Sequence, residues 1–407
     1  MSLPETASYR TAGLLGPTWM RQIWSPATVG DATGALLGRD ARLDMFRGLA
    51  LVMIFINHVP GTIYESFTNR NFGFSDAAEA FVFMSGMAAG LAYSNRFRAG
   101  NLWAAATKVW ARARQLYFVH IVITMLCIAI FAGAANWFGL TEVLTKNNLK
   151  ALFQRPLSTL VGIPLLTHQL GYLNILPLYT TLLLVTPLVI YAGLRKPWLV
   201  LAASIALWAM VGQFRLNLPA FPNPGGWFFN PFSWQILFVM GLLSGMAMKV
   251  GKRFIPYSPV LFGLAAAFLV FVLLWMKVPP LGKAMNGTLG WLGAHGVPFY
   301  LTAFDKTFLS LPRLLHAFAL FYMLGHLAVM RQVASSAIAA PFRLLGQQGL
   351  AVFATGTVLS MFLQAVKTGR EADPLFDGLI LGGGLIVLLT LAWTLTKTQE
   401  LGRAKAA

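Results

Sequence analysis

Charge is scarce in this chain. Asp, Glu, Lys and Arg make up 11% of its 407 residues, well under the roughly 25% of an ordinary soluble domain. Acidic residues are scarcer still, 13 against 31 Lys plus Arg. There is one cysteine, Cys127, so no internal disulfide can form, and cysteine usage says nothing about the redox compartment. No Cys/His cluster has metal-ligand spacing, no glycine loop is of the phosphate- or dinucleotide-binding kind, and no nucleic-acid module is legible. The first 40 residues contain no apolar core followed by a small-residue cleavage site, so no signal peptide is read there.

What the chain has instead is apolar length. Hydrophobic residues are 57% of it. Runs of about 20 such residues, the length of a bilayer-crossing helix, recur after residue 44. A β-barrel would need short alternating strands, which are not the pattern. The expectation is an all-α polytopic membrane protein with about ten transmembrane helices, near 44–62, 76–94, 114–135, 171–193, 197–213, 231–249, 257–276, 308–329, 344–365 and 374–396. Residues 1–40 read as a loosely ordered cytoplasmic tail and 41–407 as one membrane domain anchored by its first span. With the N-terminus inside, 20 of the 31 basic residues fall on cytoplasmic segments, which favours both termini inside. The +18 net charge is then a basic face toward anionic lipid. Three outer loops, 136–170, 214–230 and 277–307, are long enough to carry function.

Within the first span, "RGLALVMIFINHVPG" holds an arginine, an amide and a histidine. An ionisable group inside a membrane usually faces the bundle interior or a cavity and marks function. Arg47 and His58 are eleven residues apart, so they return to nearly the same helix face about 16 Å apart along the axis. Arg47 taken alone reads as a positive-inside anchor at the inner edge; the alternative is an anion-binding group there, held by Asp44 one turn earlier. His58 would move a proton deeper in the bilayer, and Asn57 either bonds to a neighbouring helix or donates to a developing oxyanion. The second span opens with Asp76 and Glu79 one turn apart, and Glu79 is a candidate to orient the His58 imidazole. Arg112 and Arg114, with other cations of the inner loop between the second and third spans, read mostly as the positive-inside signal and also as candidate phosphate partners. Lys306 and Arg313, near the outer start of the eighth span, are placed to attract an anionic substrate or acyl group, although Lys306 and Asp305 also read as a solvated pair. Trp227, with Phe228 and Phe229 in "GGWFFNP", reads either as interfacial belt or as a platform for sugar rings.

Arg47, ten residues and His58 resemble the arginine–ten–histidine motif of the type 3 transmembrane acyltransferases, and "EAFVFMSG" resembles that family's acidic motif, with Glu79 where an aspartate is usual. "LDMFRGLALVMIFINH", "YLNILPLY", "FFNPFSWQILFVMG" and "DKTFLSLPRLLHAFALFY" resemble the OpgC family more closely, over about residues 40–365. The resemblance implies a bacterial inner-membrane enzyme with an acyltransferase type 3-like bundle. It implies ten spans, cytoplasmic succinyl-coenzyme A as donor and hydroxyls of osmoregulated periplasmic glucans as acceptor; from the residues alone, no metal is expected. Two other readings are an acetyltransferase acting on another glycan and a glycan or lipid transporter.

Overall fold

The computed structural model describes residues 40–406, and among these the regular structure is helical. The tail expected over residues 1–40 lies outside the described residues apart from Asp40, which caps the first helix by accepting the Arg42 N–H at 2.9 Å. Eleven helices carry the architecture: α1 Ala41–Asn57, α2 Ala77–Arg98, α3 Leu102–Phe138, α4 Ile175–Arg195, α5 Pro197–Phe214, α6 Pro231–Met248, α7 Pro259–Lys277, α8 Pro279–Ala294, α9 Leu311–His326, α10 Gly349–Lys367 and α11 Pro374–Ala406. Proline at the first helical position, where its missing N–H costs nothing, starts α5 to α8 and α11. The fold is that of an all-α polytopic membrane protein. Each of the ten expected segments overlaps one of these helices. Seven helices among the described residues are long and apolar enough to cross a membrane: α3, α4, α5, α6, α7, α10 and α11. The other three segments fall on α1, α2 and α9, which are shorter or more polar.

Several boundaries differ from expectation for local reasons. α1 stops at Asn57, with His58 as its C-cap, because Pro60 disfavours helix at the residue before it and Gly61 turns at φ 82°. α3 begins twelve residues before the expected 114 and runs 37 residues in all, about 55 Å, so Arg112 and Arg114 lie on a helix rather than in a loop. The 344–365 segment breaks at Gln348 into the short helix Ala340–Gln347 and α10. The long 277–307 loop is largely α8.

The packing that positions the site depends on small residues. Gly86 and Gly90 of α2 face Gly241 and Gly245 of α6. A Cβ at Gly86 would lie 2.0 Å from the Phe238 carbonyl oxygen, and one at Gly241 2.0 Å from that of Phe83. Each helix therefore supplies a small-xxx-small stripe to the other, the arrangement that lets backbones approach closely inside a membrane. The sequence shows the first stripe plainly in "SGMAAG"; its partner on α6 is hidden in a leucine-rich run. Gly48 of α1 and Gly346 meet in the same reciprocal way. Gly241→Val is expected to destabilise the protein by at least about 1–3 kcal/mol through overpacking, read as a lowered unfolding midpoint in detergent. An unchanged midpoint would mean that the two helices can separate without cost.

Candidate active site

Two carboxylates are set by the start of α2. Asp76 caps the helix, accepting the Ala78 N–H at 2.8 Å, and Glu79 reaches back to the Asp76 N–H at 2.9 Å. This capping box fixes both side chains before any tertiary contact forms. α9 then completes them. Arg313 donates to Glu79 Oε1 from Nε at 2.9 Å and from Nη2 at 2.5 Å, and its Nη2 lies 3.4 Å from Asp76 Oδ2. Lys306 donates to the same Asp76 oxygen. The solvated Asp305–Lys306 pair is not formed, because the Asp305 carboxylate caps its own turn at the Phe308 N–H, 2.7 Å away. Two acids and two cations thus balance. Glu79 is fully buried, whereas the Lys306 side chain, at 26%, is the most exposed of the four. His316 of α9 braces the cluster: its Nδ1 lies 2.7 Å from the Ser75 hydroxyl.

His58 stands beside this cluster at the far end of the bundle, the end at which α1 finishes. It is close enough to Lys306 and Asp76 for both charges to act on its ring. The imidazole packs on Tyr172 with ring centroids 4.7 Å apart and 54° between planes. Gln364 of α10 donates to the His58 carbonyl at 2.6 Å and accepts from Asn147 at 2.9 Å. The backbone is thereby held, while no side chain among the described residues hydrogen-bonds the ring, and the residue is only half-buried. Asn57 accepts from the Thr68 hydroxyl at 2.9 Å.

Glu79 does not orient this imidazole as the sequence reading expects. One of its oxygens closes the capping box and the other is taken by Arg313, and the carboxylate whose charge reaches His58 is Asp76. Trp227 is likewise no open platform: it is 5% exposed. Its backbone N–H donates to the Leu218 carbonyl and its backbone carbonyl accepts from Asn217, and the indole itself is buried. The next ring, Phe228, turns outward at 48% exposure, 5.9 Å from Lys306 Nζ.

At the near end, where α1 begins, Arg47 Nη1 lies 3.5 Å from Asp44 and 3.3 Å from the Gly346 carbonyl. Arg47 and Arg112 both act on the Tyr179 hydroxyl, and Arg112 and Arg96 on that of Tyr93. The structure therefore gathers Arg47 and Arg112 with Arg96 and two tyrosines. Arg114 does not join them. Two residues along a helix is about 200° of rotation, and Arg114 is exposed while Arg112 is half-buried.

The family model described as OpgC protein matches residues 39–400. The chain belongs to the OpgC family. No curated protein matches it. Every OpgC-family residue named above, from Arg47 to Gln364, falls inside the matched range. Family membership together with the apolar helices makes this a membrane-associated OpgC-type protein, and OpgC membership suggests an acyltransferase. Among the described residues no group of three or more acids, cysteines or histidines gathers as metal ligands.

Sequence reasoning missed Tyr172, Gln364 and Tyr179. Tyr172 and Tyr179 lie in the quoted "YLNILPLY" stretch, the one signal that was available. Gln364 is a lone amide in an apolar run, which an intramembrane polar residue should have flagged.

Proposed function

We propose that this protein is a membrane-embedded O-succinyltransferase of the bacterial inner membrane, with both termini cytoplasmic. In this reading it carries succinyl from cytoplasmic succinyl-coenzyme A to hydroxyls of periplasmic glucans. The observation that carries the reading is α1 itself. It bears Arg47 near its start and ends at His58, whose ring no side chain among the described residues hydrogen-bonds.

The chemistry follows from those positions. Phosphates of the coenzyme pair with Arg47 and Arg112, where guanidinium geometry suits them. The thioester arm extends toward His58. His58 takes the proton of the glucan hydroxyl as the hydroxyl oxygen attacks the thioester carbonyl, and returns it to the departing thiolate as the C–S bond breaks. The Asn57 amide N–H group supports the oxyanion. Lys306, the more exposed cation of the cluster, attracts the free carboxylate of the succinyl group, and Phe228 offers an exposed ring beside it. Asp76, Glu79 and Arg313 hold Lys306 and the end of α9 in place.

The test is release of free thiol from succinyl-coenzyme A by purified protein with and without glucan, alongside mass spectrometry of the glucan. Glucan-dependent release with a succinyl mass shift is the expected result. Equal or faster turnover with acetyl-coenzyme A would replace the donor, and glucan movement without thiol release would make the protein a transporter. Within the same assay, Arg47→Ala is expected to raise the donor KM about tenfold or more, a loss of one charged hydrogen-bonded contact, with a smaller change in kcat. An unchanged donor KM would remove Arg47 from the docking site.

A further inference from the structure

A cavity of about 740 Å³ lies between α1, α2, α6, α7 and α9. It is separate from the proposed transfer route. On α1 it is lined by Arg42, Leu43, Phe46, Leu49, Ala50 and Met53, a face about 120° round the helix from His58, and neither Arg47 nor His58 lines it. Its walls are almost wholly apolar and rich in methionine, with Met53, Met84, Met87, Met240 and Met248 among them. Such side chains adapt to flexible apolar ligands. With apolar walls the cavity is a poor container for water.

The polar groups of the lining are not scattered. Apart from Asn69 at the far end, they are Asp40, Arg42, Ser244, Arg253, Tyr322 and His326, all at the near end. Arg42 is paired with Asp40 at 2.9 Å. Arg253 forms no salt bridge with any described residue. Its Nη1 donates to the Gly325 carbonyl at 3.2 Å, while its Nη2 is buried with no hydrogen-bond partner. Burial, then the neighbouring cations Arg42 and Arg331, pushes its guanidinium below its ordinary value. A buried guanidinium donor beside like charges lacks an anion. The cavity therefore has an apolar body and an anion-seeking mouth.

We propose that this cavity seats one anionic phospholipid, its phosphate on Arg253 and Arg42 and its acyl chain between α1, α2, α6, α7 and α9. The lipid seals the face of α1 that the transfer route does not use, so that α1 is held on one side by protein and on the other by acyl chain.

Native mass spectrometry of the full-length protein in detergent tests this with four probes: phosphatidylglycerol, phosphatidylcholine of the same chains, inorganic phosphate and coenzyme A. One phosphatidylglycerol is expected to stay bound, at least tenfold more tightly than phosphatidylcholine, with no measurable retention of inorganic phosphate. Arg253→Ala is expected to weaken phosphatidylglycerol at least tenfold, with Arg253→Lys in between. Ala319→Phe fills the cavity away from the arginines and is expected to weaken both lipids alike. A thermal melt of each variant shows that it is folded. Equal binding of the two lipids, unaltered binding by Arg253→Ala, or lipid retention indifferent to Ala319→Phe would each overturn the proposal. Displacement of the lipid by coenzyme A would overturn it too, by making the mouth a donor site.

Discussion

His58→Ala is expected to lower acyl transfer by about 100- to 10,000-fold, the usual contribution of a general base, while leaving the protein folded. The second half of that expectation is as specific as the first. The imidazole has no side-chain hydrogen bond among the described residues and meets Tyr172 through a ring contact. Gln364 holds the backbone carbonyl, which alanine retains. Stability lost on substitution is therefore small, and the unfolding midpoint in detergent should move by only a few degrees. Thiol release from succinyl-coenzyme A in the presence of glucan is the readout. Near-normal turnover would end the assignment of His58, and a collapsed melt would show the ring to be structural.

Arg313→Ala carries the largest expected effect on stability. Glu79 is 0% exposed and takes two hydrogen bonds from the guanidinium, at 2.9 and 2.5 Å. Removing the arginine leaves a carboxylate with only the Asp76 N–H, and breaking a buried pair from one side costs about 3–5 kcal/mol. The matching double variant, Arg313→Met with Glu79→Gln, removes both charges together and should recover most of that loss. Lys306→Ala breaks a more exposed pair and should cost about 1 kcal/mol or less. Thermal melts and size-exclusion profiles of the three variants read this ordering directly. If Arg313→Ala melts with the unaltered protein, or if the double variant is worse than the single, the cluster does not hold α9 to α2.

The class of the fold was legible without coordinates because the bilayer imposes it. Low charge and repeated apolar runs leave few alternatives to helices for a backbone hidden from water. The spacing of Arg47 and His58, and of Asp76 and Glu79, was legible because helical periodicity is local; the capping box that joins the two acids was not read from it. Partners across space were not. Glu79 could be placed beside His58 on paper, but only the docking of α9 showed that Arg313 claims it. Trp227 and Phe228 are adjacent and chemically alike, and only the folded loop shows that Trp227 is buried while Phe228 faces out. Tyr172, Gln364 and the apolar cavity come from segments far apart in the chain, so no local pattern announces them. The sequence by itself determined that this is a helical membrane protein with an arginine and a histidine on one helix. The tertiary structure alone decided what each charge is paired with, because in a low-dielectric interior the partner, not the residue type, sets what a charged group can do.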